Sequence, residues 1–350
     1  MTDRLSIYDL AGFERLQREV RLDPRCVRQL RNEWLKRFCA DEAALAGFPA
    51  ADRVAPPAMR VFRRLDSAVD GASKLLLRTS GGMLIESVIL RVATGRTTLC
   101  VSSQVGCAAA CAFCATGKMG MARNLSAGDI LDQVLRAGQL LAAEKRAIRN
   151  IVFMGMGEPF HNEANLHQAL EALTSPKLFH HAPGRILVST VGVADAMLRC
   201  AARFPRVNQA LSLHSVRQEV RENLMPLARK YPLDQLRQTI VRLNGTFGMK
   251  VMVEYLLLAG VNDSLADAGD LIAWLNGLNV HVNLIPFNAI ADAPHLAGSD
   301  YPTRLAFASA LKAAGLKTTM RHSLGNDIAA ACGQLVRHEN KAFPTLALET

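Results

Sequence analysis

Cys107-Ala-Ala-Ala-Cys111-Ala-Phe-Cys114 places three thiols within eight residues. Thiolates favour soft metals and iron–sulfur clusters. Structural zinc takes four protein ligands, and no fourth Cys or His stands beside this triplet. A cubane cluster held by three thiolates keeps one iron free for a substrate or cofactor. The C-x3-C-x2-C spacing therefore reads as a reactive site.

The sequence around the triplet assigns the fold. From residue 97 onward, short apolar runs alternate with helical periodicity. The strands are expected at 97–102, 150–154, 185–190, 208–213, 250–257 and 281–285, with a closing strand at 317–321. Ser126-Ala-Gly-Asp129 opens a helix that runs through Ile130, Val134, Leu135 and Leu140. Further helices fit at 163–174, 194–203, 232–244, 264–277 and 303–314. Alternating βα units with crossover helices imply a parallel sheet, and six of them suggest an open, partial (β/α)6 barrel. Reactive residues in such α/β folds gather at the C-terminal ends of the strands. The cysteine loop follows the first strand, so it falls at that end.

Residues 1–64 read as helical. Asp23 caps a helix with Pro24 in its first turn, and Cys26, Val27, Leu30, Trp34, Leu35 and Phe38 follow at helical spacing. This segment carries 13 Lys/Arg against 9 Asp/Glu, so its basic face suits nucleic acid as well as plain solvent. Two strand-like runs, 74–79 and 83–92, flank Gly81-Gly82 and read as a β-hairpin. The expected organisation is a small N-terminal helical accessory domain (1–70), a β-hairpin extension (71–92), the barrel (93–326) and a C-terminal segment (327–350).

The totals set outer bounds. The 350 residues allow one large α/β domain with an appendage, and half of them are hydrophobic. No apolar run reaches the roughly 18 residues of a membrane span. The start, Met1-Thr-Asp-Arg-Leu-Ser, lacks a signal pattern, which predicts a cytoplasmic protein. Eight cysteines in such a chain argue for metal or redox chemistry over a disulfide framework. A formal net charge of +10 suits a polyanionic partner such as RNA.

At the level of motifs the chain resembles the radical S-adenosylmethionine (SAM) superfamily and, within it, the RlmN/Cfr family of RNA adenosine methyltransferases. The likeness rests on Cys100-Val-Ser-Ser-Gln-Val-Gly-Cys107, the thiol triplet, Phe153-Met-Gly-Met-Gly-Glu-Pro159, Leu211-Ser-Leu-His-Ser215, Val282-Asn-Leu-Ile-Pro-Phe-Asn288 and Asp327-Ile-Ala-Ala-Ala-Cys-Gly-Gln-Leu335. It covers roughly residues 73–335; the first 70 match only in general character.

The resemblance implies that Cys107, Cys111 and Cys114 hold a [4Fe-4S] cluster, whose open iron takes the amino and carboxylate groups of SAM. Phe113 would pack near the adenine. Gly157 and Glu158 would bind SAM, with Glu158 on its ammonium group. Ser189, Ser212, Leu213, His214 and Asn288 would line the same site. Without the resemblance, a Ser or Asn after a strand is an ordinary cap or turn residue, and Cys332 among alanines an ordinary buried hydrophobe. With it, Cys332 becomes the methyl carrier, accepting a methyl from one SAM to form S-methylcysteine. Adenine C2 and C8 are too electron-poor to attack a sulfonium. The adenosyl radical from a second SAM would therefore take a hydrogen from that methyl, and the carbon radical would add to the ring. Cys100 would resolve the resulting protein–RNA crosslink, leaving a transient disulfide with Cys332. Glu86 matches a position to which the family assigns proton acceptance, although Cys100 also suits that task. Cys26, Cys39 and Cys200 match no motif and read as packing residues.

The implied substrate is 23S ribosomal RNA at the peptidyl-transferase-centre adenosine, with tRNA as a second substrate of some members. A flavodoxin-type reductant would supply electrons. Cys114-Ala-Thr-Gly117 resembles the C8 branch and Pro286-Phe287-Asn288 the C2 branch, which leaves the ring position open. Arg91, Arg96, Lys118, Arg123, Arg321 and His322 are expected to flank the mouth and meet phosphates. Two alternatives stand beside this reading: another radical SAM reaction such as glycyl-radical activation, and a ribosome-assembly factor with a relic cluster.

Overall fold

The computed structural model describes residues 4–335. In chain order its strands are β1 (Leu5–Ser6), β2 (Val54–Ala55), β3 (Arg60–Asp66), β4 (Ala72–Arg78), β5 (Leu84–Arg91), β6 (Thr97–Cys100), β7 (Gln104–Cys107), β8 (Gly120–Asn124), β9 (Asn150–Phe153), β10 (Ile186–Thr190), β11 (Asn208–Ser212), β12 (Val251–Leu257), β13 (Val280–Pro286) and β14 (Thr318–Met320). Its α-helices are α1 (Leu10–Glu19), α2 (Pro24–Arg31), α3 (Asp41–Leu45), α4 (Ala127–Ala143), α5 (Glu163–Thr174), α6 (Ala194–Arg203), α7 (Gln218–Leu224), α8 (Leu233–Phe247), α9 (Leu265–Leu275) and α10 (Tyr301–Ala313).

Strands β6, β9, β10, β11, β12, β13 and β14 lie side by side in chain order, every neighbouring pair parallel. Successive strands thus add always to the same edge. Right-handed crossovers then stack the helices on one face, and the sheet curls instead of opening in two directions. The curl stays open, because β14 and β3 are the outer strands of a 10-stranded sheet. The expected partial barrel of six βα units is therefore present, with β14 as its closing strand.

Local chemistry sets the element boundaries. Ser126 and Asp129 form a reciprocal capping box at the start of α4, and Ser264 with Asp267 repeats it on α9. Helix α8 ends on Gly248 in the left-handed region. Strand β12 is buried at every position but one, which is why Val251-Met-Val-Glu-Tyr-Leu-Leu257 reads as a nearly continuous apolar run.

The N-terminal reading holds only in part. Asp23 accepts from the Arg25 amide and Pro24 opens α2, which continues into a π-helical turn at Asn32–Lys36. Val27, Leu30, Trp34 and Leu35 are buried along one face, as their spacing implied. Residues 60–66, however, are not helical. They form β3, antiparallel to β4, so the predicted hairpin is a three-stranded extension joined to the barrel sheet through β5 and β6. Arg60-Val-Phe-Arg-Arg-Leu-Asp66 is an outer strand exposed along nearly its whole length. It has no core face, and so no alternation to betray it; the arginines instead guard an open edge.

The N-terminal helices dock on α4. Asp132 accepts from the Tyr8 hydroxyl at 2.8 Å and the Met59 amide at 2.9 Å. Arg136 donates to the Met59 carbonyl at 2.8 Å and to Asp41 at 2.9 Å. No helix among the described residues is long and apolar enough to cross a membrane.

Candidate active site

The cysteine segment is more ordered than a plain loop. Strands β7 and β8 pair antiparallel and close it into a hairpin. At the irregular point of that pairing Gly106 has φ +84°, and a Cβ there would lie 2.0 Å from the Gly120 carbonyl oxygen. Cys107 ends β7; the Ala112 amide then donates to the Leu224 carbonyl at 2.8 Å, tying the loop to α7.

The three thiols line a cavity of about 140 Å³ at the C-terminal ends of the barrel strands. Gly157, Glu158, Ser189, Ser212, His214, Asn288 and Cys332 line it as well, so residues spread over more than 200 positions converge on one space. Leu213 does not: its side chain is buried behind the wall, and its amide donates to the Glu254 carbonyl at 3.0 Å. Among the described residues no trio of Cys, His, Asp or Glu closes to the spacing of a single metal ion. Thiolates of a cubane each take their own iron, so a set that shares a cavity without converging on one point fits a cluster. Burial raises all three thiol pKa values, that of Cys107 to about 12. These thiols are protonated on their own and need a bound metal to ionise.

Gly157 follows β9 with φ +102°, and a Cβ would press within 2.6 Å of Gln104 Cβ. This conformation turns Glu158 inward. Its carboxylate accepts from the Phe160 amide at 3.1 Å and the Val191 amide at 2.8 Å. Burial nevertheless pushes its pKa up to about 7. The two amides and the Thr190 hydroxyl oppose that rise.

His214 also sits in the left-handed region, φ +59°. Its Nδ1 accepts from the Leu256 amide at 3.0 Å, which fixes the proton on Nε2. Burial and Arg221 lower its pKa to about 3, so the ring is neutral. Phe113 packs edge-on against it, centroids 4.9 Å apart.

Glu254, on β12, is a cavity residue that motif reading passed over. It is buried, and Ser189 Oγ donates to its Oε2 at 2.9 Å. Oε1 has no hydrogen-bond partner among the described residues. Ser212, Asn283 and the Arg321 charge also act on this carboxylate, against the rise in pKa that burial causes. The available signal was a lone acid in an apolar strand.

Cys332 enters from the C-terminal segment. Asn288 Nδ2 donates to its carbonyl at 3.1 Å, and the Ala115 amide donates to the Gly333 carbonyl at 2.8 Å. Asn288 therefore holds the segment as well as lining the cavity. The segment is also tied to the hairpin extension. Asp327 accepts from Ser67 Oγ and the Ala68 amide, Asp70 from the Gly325 amide, and Lys74 Nζ reaches the Ala329 carbonyl. Residues 336–350 of the predicted segment lie outside the described residues.

A second, smaller cavity of about 30 Å³ is lined by Cys332, Cys100 and Arg321. Cys332 thus borders both spaces. Burial raises the pKa of Cys100 to about 12; it also raises that of Cys332, and the Arg321 guanidinium opposes the rise in both. Glu86 lines neither space: it is buried and ion-paired with Lys74 at 3.4 Å.

The cations expected at the mouth are dispersed. Arg91 pairs with Thr97 at the start of β6, so it and Arg96 lie at the opposite end of the barrel, where Arg91 grips Glu144 at 2.7 Å. Arg321 faces inward at the two thiols. Lys118 and Arg123 ride on the cysteine hairpin, and His322 is exposed beside the second cavity. Charge alone could not separate the two barrel ends.

The curled parallel sheet, with a thiol triplet at its C-terminal rim, defines a radical SAM protein. The Radical SAM superfamily model matches residues 101–272. The chain is 57% identical, over 96% of its length and 88% of the relative's, to a Rhodopirellula baltica protein named "Probable RNA methyltransferase". It is 42% identical, over 79% of its length and 77% of the relative's, to the "Probable dual-specificity RNA methyltransferase RlmN" of Chlorobium phaeovibrioides. The crystal structure of a radical SAM methyltransferase from Sphaerobacter thermophilus superposes with a TM-score of 0.89 at 37% identity, covering 95% of this chain and 99% of that one. This chain belongs to the RlmN/Cfr family of radical SAM RNA methyltransferases.

Proposed function

We propose that this protein methylates a ring carbon of an adenosine, C2 or C8, through a methyl carried on Cys332. The substrate in this reading is 23S ribosomal RNA at the peptidyl transferase centre, with tRNA second; the "dual-specificity" of named relatives supports two substrates. One observation carries the reading. Cys332 borders both the cavity of the thiol triplet and the one containing Cys100.

In this reading Cys107, Cys111 and Cys114 hold a [4Fe-4S] cluster. When bound, it supplies an electron that cleaves SAM to the 5′-deoxyadenosyl radical. Glu158 takes the SAM ammonium, while Ser189, Ser212, His214, Asn288 and Gly157 bound the rest of the molecule. Cys332 carries the methyl, and Cys100, across the small cavity, resolves the crosslink to RNA. Of the two groups suited to accept the ring proton, Cys100 shares a cavity with Cys332, whereas the charge of Glu86 is already taken by Lys74. The geometry favours Cys100, whose thiol must first release its own proton, a loss that the Arg321 guanidinium assists. Residues 1–59 serve as an RNA-binding accessory unit, 60–92 as the three-stranded extension in place of the predicted 71–92 hairpin, 93–326 as the radical SAM core and 327–350 as the carrier segment. A flavodoxin-type donor supplies electrons, and the work is cytoplasmic, where the RNA is.

Glu158→Gln keeps the shape and removes the charge. The loss of one charge-assisted contact, about 1.5–3 kcal/mol, should weaken SAM binding about 10- to 150-fold in equilibrium dialysis. A change below threefold would remove Glu158 from the site. The whole reading is tested by nuclease digestion and mass spectrometry of RNA treated with the reduced, SAM-supplied enzyme. The expected product is 2-methyladenosine or 8-methyladenosine; neither appearing overturns it.

A further inference from the structure

Two cavities adjoin on the flank of the molecule, far from the reaction mouth. One, of about 440 Å³, lies between α1, α2 and the Pro176-Lys177 turn that follows α5. Five of its lining residues are cations: Arg25, Arg28, Arg31, Lys36 and Lys177. The other, of about 530 Å³, shares Lys36 and adds Arg149 and Arg185, which immediately precede β9 and β10, together with His180 and His181. It therefore sits at the N-terminal ends of the barrel strands. Across both linings the only carboxylate among the described residues is Glu14, which already pairs with Lys177 at 3.7 Å.

Arg31 is the unusual group. It is 8% exposed and stacks over the Phe13 ring at 4.8 Å. Its Nε and Nη2 are buried with no hydrogen-bond partner among the described residues. The nearest opposing charges are Glu14, held by Lys177, and Asp9, whose carboxylate accepts from the Gly12 amide at 2.8 Å to cap α1. The stacking on Phe13 returns part of the cost of burial, but it leaves the Nε and Nη2 donors unsatisfied. A planar fork of such donors matches the non-bridging oxygens of a phosphate. The cations continue through Lys36 into a second cavity, which suits successive phosphates of a strand better than one isolated oxyanion.

We infer that this seam binds the phosphodiester backbone of RNA away from the target base, with Arg31 on one phosphate and Lys36 leading to the next. The inference rests on the RNA-modifying function proposed above and adds to it a positioning site remote from the chemistry.

The test uses the full-length protein and a fluorescein-labelled, unmodified transcript of the 23S rRNA peptidyl transferase region. Fluorescence anisotropy is read against salt for Arg31→Met, Lys36→Gln and the control Arg37→Gln, whose parent side chain is 72% exposed on Glu33. Arg31→Met should bind about tenfold more weakly, and each of the first two variants should lower the slope of log affinity against log salt by about 0.7–0.9, one phosphate contact's share. Arg37→Gln should change neither, and all three should still form 5′-deoxyadenosine from SAM. Lys36 is exposed, so Lys36→Gln carries the test even where Arg31→Met fails to fold. Wild-type affinity and slope in Lys36→Gln and in folded Arg31→Met overturn the inference. So does a response confined to inorganic phosphate, read as a shift of the Arg31 Nε–H resonance while RNA affinity stays put. The two readings fail separately. RNA bound through Arg31 yet never methylated sinks the activity and keeps the seam. RNA methylated by the variants with unchanged KM does the reverse.

Discussion

Cys332→Ala protein is expected to leave RNA unmethylated, a loss of at least about a thousandfold on the scale seen when a covalent nucleophile is removed. Reductive cleavage of SAM should persist, with 5′-deoxyadenosine formed only by uncoupled quenching of the adenosyl radical, because the methyl that donates its hydrogen is gone. The split follows from how the residue is held. Asn288 and Ala115 grip the backbone carbonyls of Cys332 and Gly333, not the thiol. An alanine therefore keeps the wall of the cavity and deletes only the sulfur that would carry the methyl. The thiol triplet, Glu158 and His214 are untouched. Mass spectrometry of digested RNA and chromatography of 5′-deoxyadenosine separate the two outcomes. Methylated RNA formed within tenfold of the wild-type rate would remove Cys332 from the pathway, and in wild-type protein under turnover its peptide should carry the mass of one added methyl group.

The second large effect is arrest rather than loss. Cys100→Ala should react once per chain and stop, with RNA covalently attached through the Cys332 sulfur. Cys100 shares the small cavity with Cys332 and Arg321, and no other thiol lines it. With that thiol absent, the carbon–sulfur bond to the methylated base has no resolving partner. A denaturing gel should show a nuclease-sensitive band heavier than the protein, and the digested peptide should bear an adenosine at Cys332. Multiple turnovers without an adduct would sink the role of Cys100. Glu86→Gln provides the contrast: with Lys74 as its partner and no place on either cavity, its loss should not trap RNA.

Much of this was legible in the sequence because a few residues do tasks that few others can. Three thiols at fixed spacing, a glycine before a buried acid and capped helices between apolar runs each have a narrow physical meaning. The barrel strands and their order followed, as did most of the cavity lining. What stayed hidden depends on pairing over distance. Strand β3 is charged and faces solvent, so it lacks the alternation that marks a half-buried strand. The hairpin of β7 and β8 turns on Gly106 meeting Gly120, a contact that spacing does not encode. Glu254 looked like one acid in an apolar strand, and only its unpartnered oxygen inside the cavity sets it apart. Arg321 was expected at the mouth among the phosphate contacts; the fold turns it toward Cys100 and Cys332. The basic seam at Arg31 joins residues from α2 to those before β10, and neither stretch is distinctive alone.

The bonds from Asp70, Ser67, Ala68 and Lys74 to residues 325–329 also impose an order in time. During translation the extension strands emerge early and the cysteine loop midway, whereas Cys332 comes near the very end of the cavity lining, followed only by Gly333 and Leu335 among the described residues. A nascent chain can finish its barrel while the mooring sites on β4 and its preceding turn still wait for their partner. Until residues 325–329 dock there, the chain has the thiol triplet but not the sulfur proposed to accept the methyl. The sulfur proposed to meet the radical is thus the last of the eight thiols to arrive, held by a clasp between the extension and the C-terminal end of the described residues.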